Sequence, residues 1–309
     1  MSSRVAATRE RLAASDAAPL LGLCVLVVIW GLSVPAMKLG LESLPPFTLV
    51  ALRYVVAAPC FMLFLLGQPL PPRRLLLSMA GLGVVGVDLG QATQIVGLAH
   101  TSAALGTVIT ASIPLFTVLL AATKLRQTLL PRHIAGFLLA LAGIACAVID
   151  APGGLAGGGL LGILLLLVAS ASIALYYVLG TAIALSTNAL VVSAWSSLAA
   201  VPFLAGLSLF ELRSAPFHPS FSGLGVVLYL GILTTVAGMW LWFTGMRRLP
   251  ARIAASTQYL QPVIGVAASA ALFGDRIGPL FGAGVAAVLG GVALASWPTR
   301  NQATKRCRR

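Results

Sequence analysis

Asp88 stands near the middle of a long apolar stretch, about a dozen residues from either end. An ionised carboxylate at the bilayer centre costs ~2.5–3.5 kcal/mol on insertion scales, so its presence calls for a compensating role. Two roles fit. The carboxylate could exchange protons or anchor a substrate ammonium group, or it could be protonated or hydrogen-bonded and lock its helix to a neighbour. Gln91 follows at the i, i+3 spacing that puts it on the same helical face, and Gln94 lies a further turn along. A second polar set, Ser256, Thr257, Gln258, Tyr259 and Gln261, interrupts another apolar run. Such stripes either line a cavity for a polar solute or join helices through hydrogen bonds, often worth under ~1 kcal/mol each. Arg53 lies about 10 Å into its own span, counted at ~1.5 Å per residue. From there it could snorkel outward, line the cavity or pair with a carboxylate, Asp88 included. Interfacial belts and packing account for most of Trp30, Tyr176, Tyr177, Trp240 and Trp242. Trp30 and Tyr176 remain lining candidates because they occupy the first helices of two repeats described below.

Other patterns carry less. Gly81 to Gly86 has GxGxxG spacing, but no strand precedes it, and Asp88 follows two residues on where a dinucleotide site needs an acid about twenty on. These glycines, and Gly86 with Gly90 at GxxxG spacing, mark places where helices approach closely. His100, His133 and His218 fall at scattered loop or helix-end positions without ligand spacing. Cys24, Cys60 and Cys146 lie in apolar runs as small buried hydrophobes, and Cys307 lies near the chain end. No nucleophile and base set, P-loop, metal motif or cofactor motif appears. A membrane enzyme and an ATP-driven pump are therefore disfavoured, and no cofactor or metal is expected.

The elements that position these residues must be membrane helices. The chain of 309 residues is 59% hydrophobic and 9% charged, with mean hydropathy +1.01; a soluble domain carries about 25% charged residues. Long unbroken apolar runs favour helices over a barrel. They recur at 20–37, 46–66, 75–99, 103–122, 132–150, 159–181, 188–210, 222–246, 253–273 and 278–297, which makes ten spans. The first run is too long for a signal peptide and lacks a small-residue cleavage site. Basic residues gather at 4–11, 73–74, 124–132, 247–252 and 300–309, whereas the alternate connections hold only Lys38, Arg213 and Arg276. That asymmetry puts both termini in the cytoplasm. It also explains the net charge of +13 as topology, with no nucleic-acid partner.

The chain also repeats itself. An offset of 148 residues superposes Gly83 on Gly231, Gly90 on Gly238, Gly97 on Gly245, Pro114 on Pro262, Gly136 on Gly284 and Gly143 on Gly291. Thr110 falls on Gln258, while Asp88 falls on Val236. The organisation that follows is a cytoplasmic arm at 1–18, a first repeat at 19–150, a linker at 151–158, a second repeat at 159–297 and a basic tail at 298–309. Five helices is an odd number, so the second repeat must cross the membrane upside down. The expected fold is an all-α integral membrane protein of ten transmembrane helices in two inverted five-helix repeats, an architecture suited to alternating access. The cavity is expected between the first, third, fourth, sixth, eighth and ninth spans. Pro114 and Pro262 are candidate bending points or static kinks.

Several pieces in order resemble the EamA branch of the drug/metabolite transporter superfamily. They are Trp30-Gly31, Pro45-Pro46 followed by Leu52-Arg53-Tyr54, the passage Gly97 to Ala104, Pro114, Gln261-Pro262 and Phe273 to Arg276. The resemblance covers Leu20 to Trp297. It implies solute transport, typically export of amino acids or other small metabolites, from a bacterial cytoplasmic membrane. Gln127-Thr128 departs from the acidic-Arg pair that the family usually places there, and Asp275-Arg276 keeps a version of it. The substrate-binding candidates are Trp30, Arg53, Asp88, Gln91, Gln94, Thr110, Tyr176, Gln258 and Gln261, with Asp88 also the candidate for proton coupling. The expected partners are a small polar or amphipathic metabolite, the lipid bilayer and a second copy of the chain in a homodimer. Other readings are a non-transporting sensor or assembly subunit, or a carrier for drugs or nucleotide sugars.

Overall fold

A computed structural model describes residues 18–124, 130–151, 159–215, 220–249 and 257–296. All of the arm but Ala18, most of the linker, the basic tail, and Arg126, Gln127, Thr128, His218, Arg252 and Ser256 lie outside the described residues. Among those described there is helix and no strand. Eight helices are long and apolar enough to cross a membrane. They are α1 (Ala18–Gly40), α2 (Pro46–Leu65), α3 (Arg73–Ala99), α4 (Ala103–Lys124), α5 (Pro131–Asp150), α6 (Gly159–Ala184), α7 (Ala189–Glu211) and α8 (Phe221–Met246). Two shorter apolar helices follow, α9 (Leu260–Phe273) and α10 (Pro279–Ser296). Helices of 20 to 27 residues span about 30–40 Å at ~1.5 Å per residue, enough for the hydrocarbon core. The chain is a multi-pass membrane protein.

Local signals set the helix starts and stops. Pro46 and Pro131 open α2 and α5 at positions where a backbone N–H would have no partner. Ser102, Asn188 and Ser220 accept from Leu105, Leu190 and Gly223 N–H groups as N-caps of α4, α7 and α8. Gly274 closes α9 at φ +66°, in the left-handed conformation that favours glycine. The repeating glycines place the helices. A Cβ at Gly143 would lie 2.6 Å from the Gly284 carbonyl oxygen, and one at Gly136 would lie 2.5 Å from that of Gly291. These pairs let α5 and α10 touch backbone to backbone.

Two departures from regular α-helix were not legible in the sequence. Residues Gly83–Leu89 of α3 and Tyr229–Ala237 of α8 are wound as π-helix. The first range falls within the second when shifted by the repeat offset, and it contains Asp88. Short π segments inside helices recur at functional sites. Helix α4 also breaks at Ala111–Ser112, and Tyr259 separates helical Thr257–Gln258 from α9, each three residues or fewer before Pro114 and Pro262. Neither proline can donate to the carbonyl four residues back, which belongs to Thr110 in α4 and to Gln258 just before α9. The three described cysteines are free, and they are less buried than expected: Cys24 is exposed, and Cys60 and Cys146 are half-buried.

Candidate functional site

A cavity of about 610 Å³ runs from mid-span to one end of the bundle. Its wall takes Trp30 from α1, Thr110 to Val118 from α4, Tyr176 to Ala184 from α6, and Ala189 to Ser193 from α7. It continues with Met239 to Met246 from α8, Gln258 to Pro262 at the start of α9, and Leu289 and Val292 from α10. Ala184, Ala189, Met246 and Gln258 all lie where their helices meet the same face. That face carries Arg73, Arg74, Lys124, Arg132 and Arg248 at the ends of α3, α4, α5 and α8, and is called the basic end below.

Five of the nine candidates line this cavity: Trp30, Thr110, Tyr176, Gln258 and Gln261. The two glutamine side chains are joined, Gln261 Nε2 donating to Gln258 Oε1, and Gln258 Nε2 is buried without a partner. That amide nitrogen is a donor left unsatisfied at the cavity wall. Aromatic rings frame it: Trp30 and Trp242 are 5.9 Å apart between centroids, Tyr176 and Tyr177 5.8 Å. Trp30 and Tyr176 also pack reciprocally. Trp30 covers Gly238 of α8, where a Cβ would lie 2.4 Å from its Nε1, and Tyr176 covers Gly86 of α3 at the same distance from its Cβ. The Trp30 indole donates to the Thr234 carbonyl at 2.9 Å and the Tyr176 hydroxyl to Ser193 Oγ at 3.3 Å. Trp240, by contrast, is 55% exposed on the outside.

The other four candidates, Arg53, Asp88, Gln91 and Gln94, stand outside the cavity wall, a correction to the expectation that α3 lines it. The reason is the glycine face of α3. Gly86 and Gly90 admit Tyr176 and Ile173 so closely that α6 screens α3 from the cavity. Behind that screen, Arg53 Nε donates to Thr235 Oγ1 at 2.8 Å and Nη1 to Gln91 Oε1 at 3.0 Å. Arg53 neither snorkels nor pairs with Asp88; it is 8% exposed and ties α2 to α3 and to α8. Thr235, which the sequence did not single out, donates to the Leu230 carbonyl five residues back, within the π segment. Asp88 is 2% exposed, and its Oδ1 has no partner. Gln94 is buried as well. Two sites therefore emerge, a neutral cavity and a buried polar layer behind it. Ser193 of α7 and Val292 of α10 in the cavity wall had no distinguishing signal, one being among several serines of its helix and the other one of many apolar residues.

The EamA-like transporter family model matches twice, at residues 18–149 and 160–297. The chain belongs to the EamA-like transporter family. Members are transporters, not enzymes. This EamA-like transporter is 29% identical over 266 residues to the "Uncharacterized inner membrane transporter YedA" of Escherichia coli K12, covering 84% of each chain. It is 25% identical to the "Uncharacterized transporter YetK" of Bacillus subtilis, covering 87% of this chain and 84% of that one. It is 28% identical to a "Probable amino-acid metabolite efflux pump" of Escherichia coli K12, covering 82% and 86%. A crystal structure 21% identical in sequence matches with a TM-score of 0.65 over 94% of this chain and 99% of that one, a likeness of fold.

Proposed function

We propose that this transporter exports a small amphipathic metabolite, an amino acid or close derivative, across a bacterial inner membrane by alternating access. The observation that carries the reading is the cavity. Residues from both sequence repeats build its wall, neutral amides and hydroxyls offer hydrogen bonds, and aromatic rings offer surface to an apolar body. No described lining side chain carries a full charge, so the wall favours the amphipathic members of the expected solute range over strongly charged ones. The relative named as an amino-acid metabolite efflux pump supports the same class.

The positive-inside rule turns the basic end, and with it the cavity and both termini, toward the cytoplasm. The two matches of one family model, and the reciprocal packing of Trp30 and Tyr176, support two inverted five-helix repeats. Coupling is assigned to Asp88, which would take a proton on one side and release it on the other as the halves rock. The solute and the lipid bilayer are the partners proposed, no nucleic acid is involved, and a homodimer is the assembly to test for.

A thermal-shift screen of the purified protein against amino acids, their acetylated derivatives, polyamines, cationic drugs and nucleotide sugars tests the reading. A ligand at 100 times its Kd adds ~2.7 kcal/mol of apparent stability. The shift from an amino acid or derivative is expected to disappear in Gln261→Leu, which removes one of the paired amides. A hit unchanged in both Gln261→Leu and Trp30→Ala would place the ligand outside this cavity. Hits only among drugs or nucleotide sugars would reassign the cargo.

A further inference from the structure

The carboxylates of this chain are distributed unevenly. Apart from Glu10 and Asp16 near the amino terminus and Asp88 in mid-span, every acid in the sequence, Glu42, Asp150, Glu211 and Asp275, lies at or next to the helix ends remote from the cavity mouth. Three of the four close helix N-termini that belong to the other sequence repeat. Glu211 at the end of α7 accepts from the Phe47 N–H at 3.2 Å and the Thr48 N–H at 2.8 Å, at the start of α2. It also accepts from the Thr48 hydroxyl at 3.0 Å. Asp275, just beyond α9, accepts from the Ala104 N–H of α4 at 2.9 Å. Asp150 at the end of α5 accepts from the Phe281 N–H of α10 at 2.8 Å.

A carboxylate on the unsatisfied N–H groups of a helix start gains from both charge-assisted hydrogen bonding and the helix dipole. Lys38 supplies the opposite pole. Its ammonium donates to the Leu98 and Thr101 carbonyls at 2.9 and 2.6 Å, at the end of α3. The turn between α3 and α4 is thus held by a cation on one side and by Asp275 on the other.

The basic end has no counterpart among the described residues. There α7 is capped by its own Asn188, α5 by its own His133, and α3 by no side chain. The repeat offset carries Asp275 onto Gln127, Asp150 onto Pro298 and Glu211 onto Leu63, none of them charged. Among the described residues, the bundle therefore has one end fastened by acid caps across the two repeats and one end, holding the cavity mouth, where no such cap is found.

The three fastenings differ in what they can do. Helices α5 and α10 touch backbone to backbone at two levels, so the Asp150 cap joins helices that must move together. Glu211 and Asp275 join helices that pack through side chains, with no glycine pair at which their backbones meet.

We propose that Asp275 and Glu211 are the latch of this carrier. They hold the acid end shut by capping α4 and α2, so the unliganded protein rests with its cavity open at the basic end, and transport requires both caps to release. Under the positive-inside orientation the latched end faces away from the cytoplasm.

Labelling of a single cysteine in the cavity tests this without any solute. With the four native cysteines replaced, Thr110→Cys is exposed to an impermeant maleimide in sealed vesicles of each orientation. The parent is expected to label from the basic end and hardly at all from the acid end. Asp275→Asn removes one charge-assisted hydrogen bond and should shift the ratio of the two labelling rates by about tenfold toward the acid end. Asp275→Glu should restore the parent ratio, and Glu211→Gln should act in the same direction as Asp275→Asn. An unchanged ratio in folded Asp275→Asn and Glu211→Gln, or a parent that labels equally from both ends, would overturn the latch. If Asp275→Asn does not fold, Glu211→Gln and Lys38→Met decide by the same ratio. Because no solute is present, failure here leaves the cargo assignment untouched, and a wrong cargo leaves the latch untouched.

Discussion

Asp88→Asn is expected to reduce flux driven by an imposed pH gradient to roughly a hundredth of the parent rate, while ligand affinity changes by less than about threefold. The separation follows from geometry. Asp88 is buried, outside the cavity wall, and its Oδ1 lacks a partner. A solute resting in the cavity does not touch it, so binding persists when the acid becomes an amide. Proton exchange does not, because an amide cannot titrate. The substitution preserves shape, and the asparagine adds an N–H donor where the acid has an acceptor without a partner. Vesicle uptake with and without a pH gradient, alongside thermal shift with the same ligand, reads both quantities. Gradient-driven flux that survives the substitution would remove Asp88 from the coupling mechanism. A loss of binding equal to the loss of flux would instead place it in the solute site.

Gly143→Leu is expected to cost about 3 kcal/mol, at the upper end for overpacking, with thermal unfolding in detergent lowered by several degrees. A Cβ at Gly143 would meet the Gly284 carbonyl oxygen at 2.6 Å and the Ala287 Cβ at 2.9 Å. Backbone cannot step aside as the tip of a flexible side chain can, so the whole seam between α5 and α10 must part. Gly282→Leu in α10 is the control, since nothing lies within 4 Å of its would-be Cβ. It should unfold within about 0.5 kcal/mol of the parent. Equal behaviour of the two variants would contradict the backbone-to-backbone packing of α5 on α10.

Much of this architecture was legible because membrane helices announce themselves. The apolar runs sit within a few residues of the helices found, and the repeated glycines include those at which helices meet. Paired prolines signalled the breaks in α4 and just before α9, since a missing N–H acts through the chain itself. The cavity was partly legible: Trp30, Thr110, Tyr176, Gln258 and Gln261 stand in one wall. Asp88, Gln91, Gln94 and Arg53 drew attention for the same reason, the cost of polarity in lipid. Cost alone does not say which face of α3 looks at a cavity and which at a neighbouring helix. That depended on Tyr176 settling over Gly86, a contact between residues far apart in sequence. No residue type signals the π segments of α3 and α8. The acid caps were invisible for a related reason. Glu211 and Asp275 read as ordinary charges at helix ends until the helices they close were known.

The measurement that bears most directly on the central claim is flux through the cavity. A solute identified by thermal shift is loaded into sealed proteoliposomes, and its exchange is followed for the parent and for Thr117→Trp, which places an indole in the wall between mid-span and the mouth. Saturable exchange in the parent, reduced at least about tenfold in a folded Thr117→Trp protein, is the predicted result. A parent that binds the solute without moving it, or a Thr117→Trp variant that moves it at the parent rate, would contradict the claim that this cavity is the route of transport.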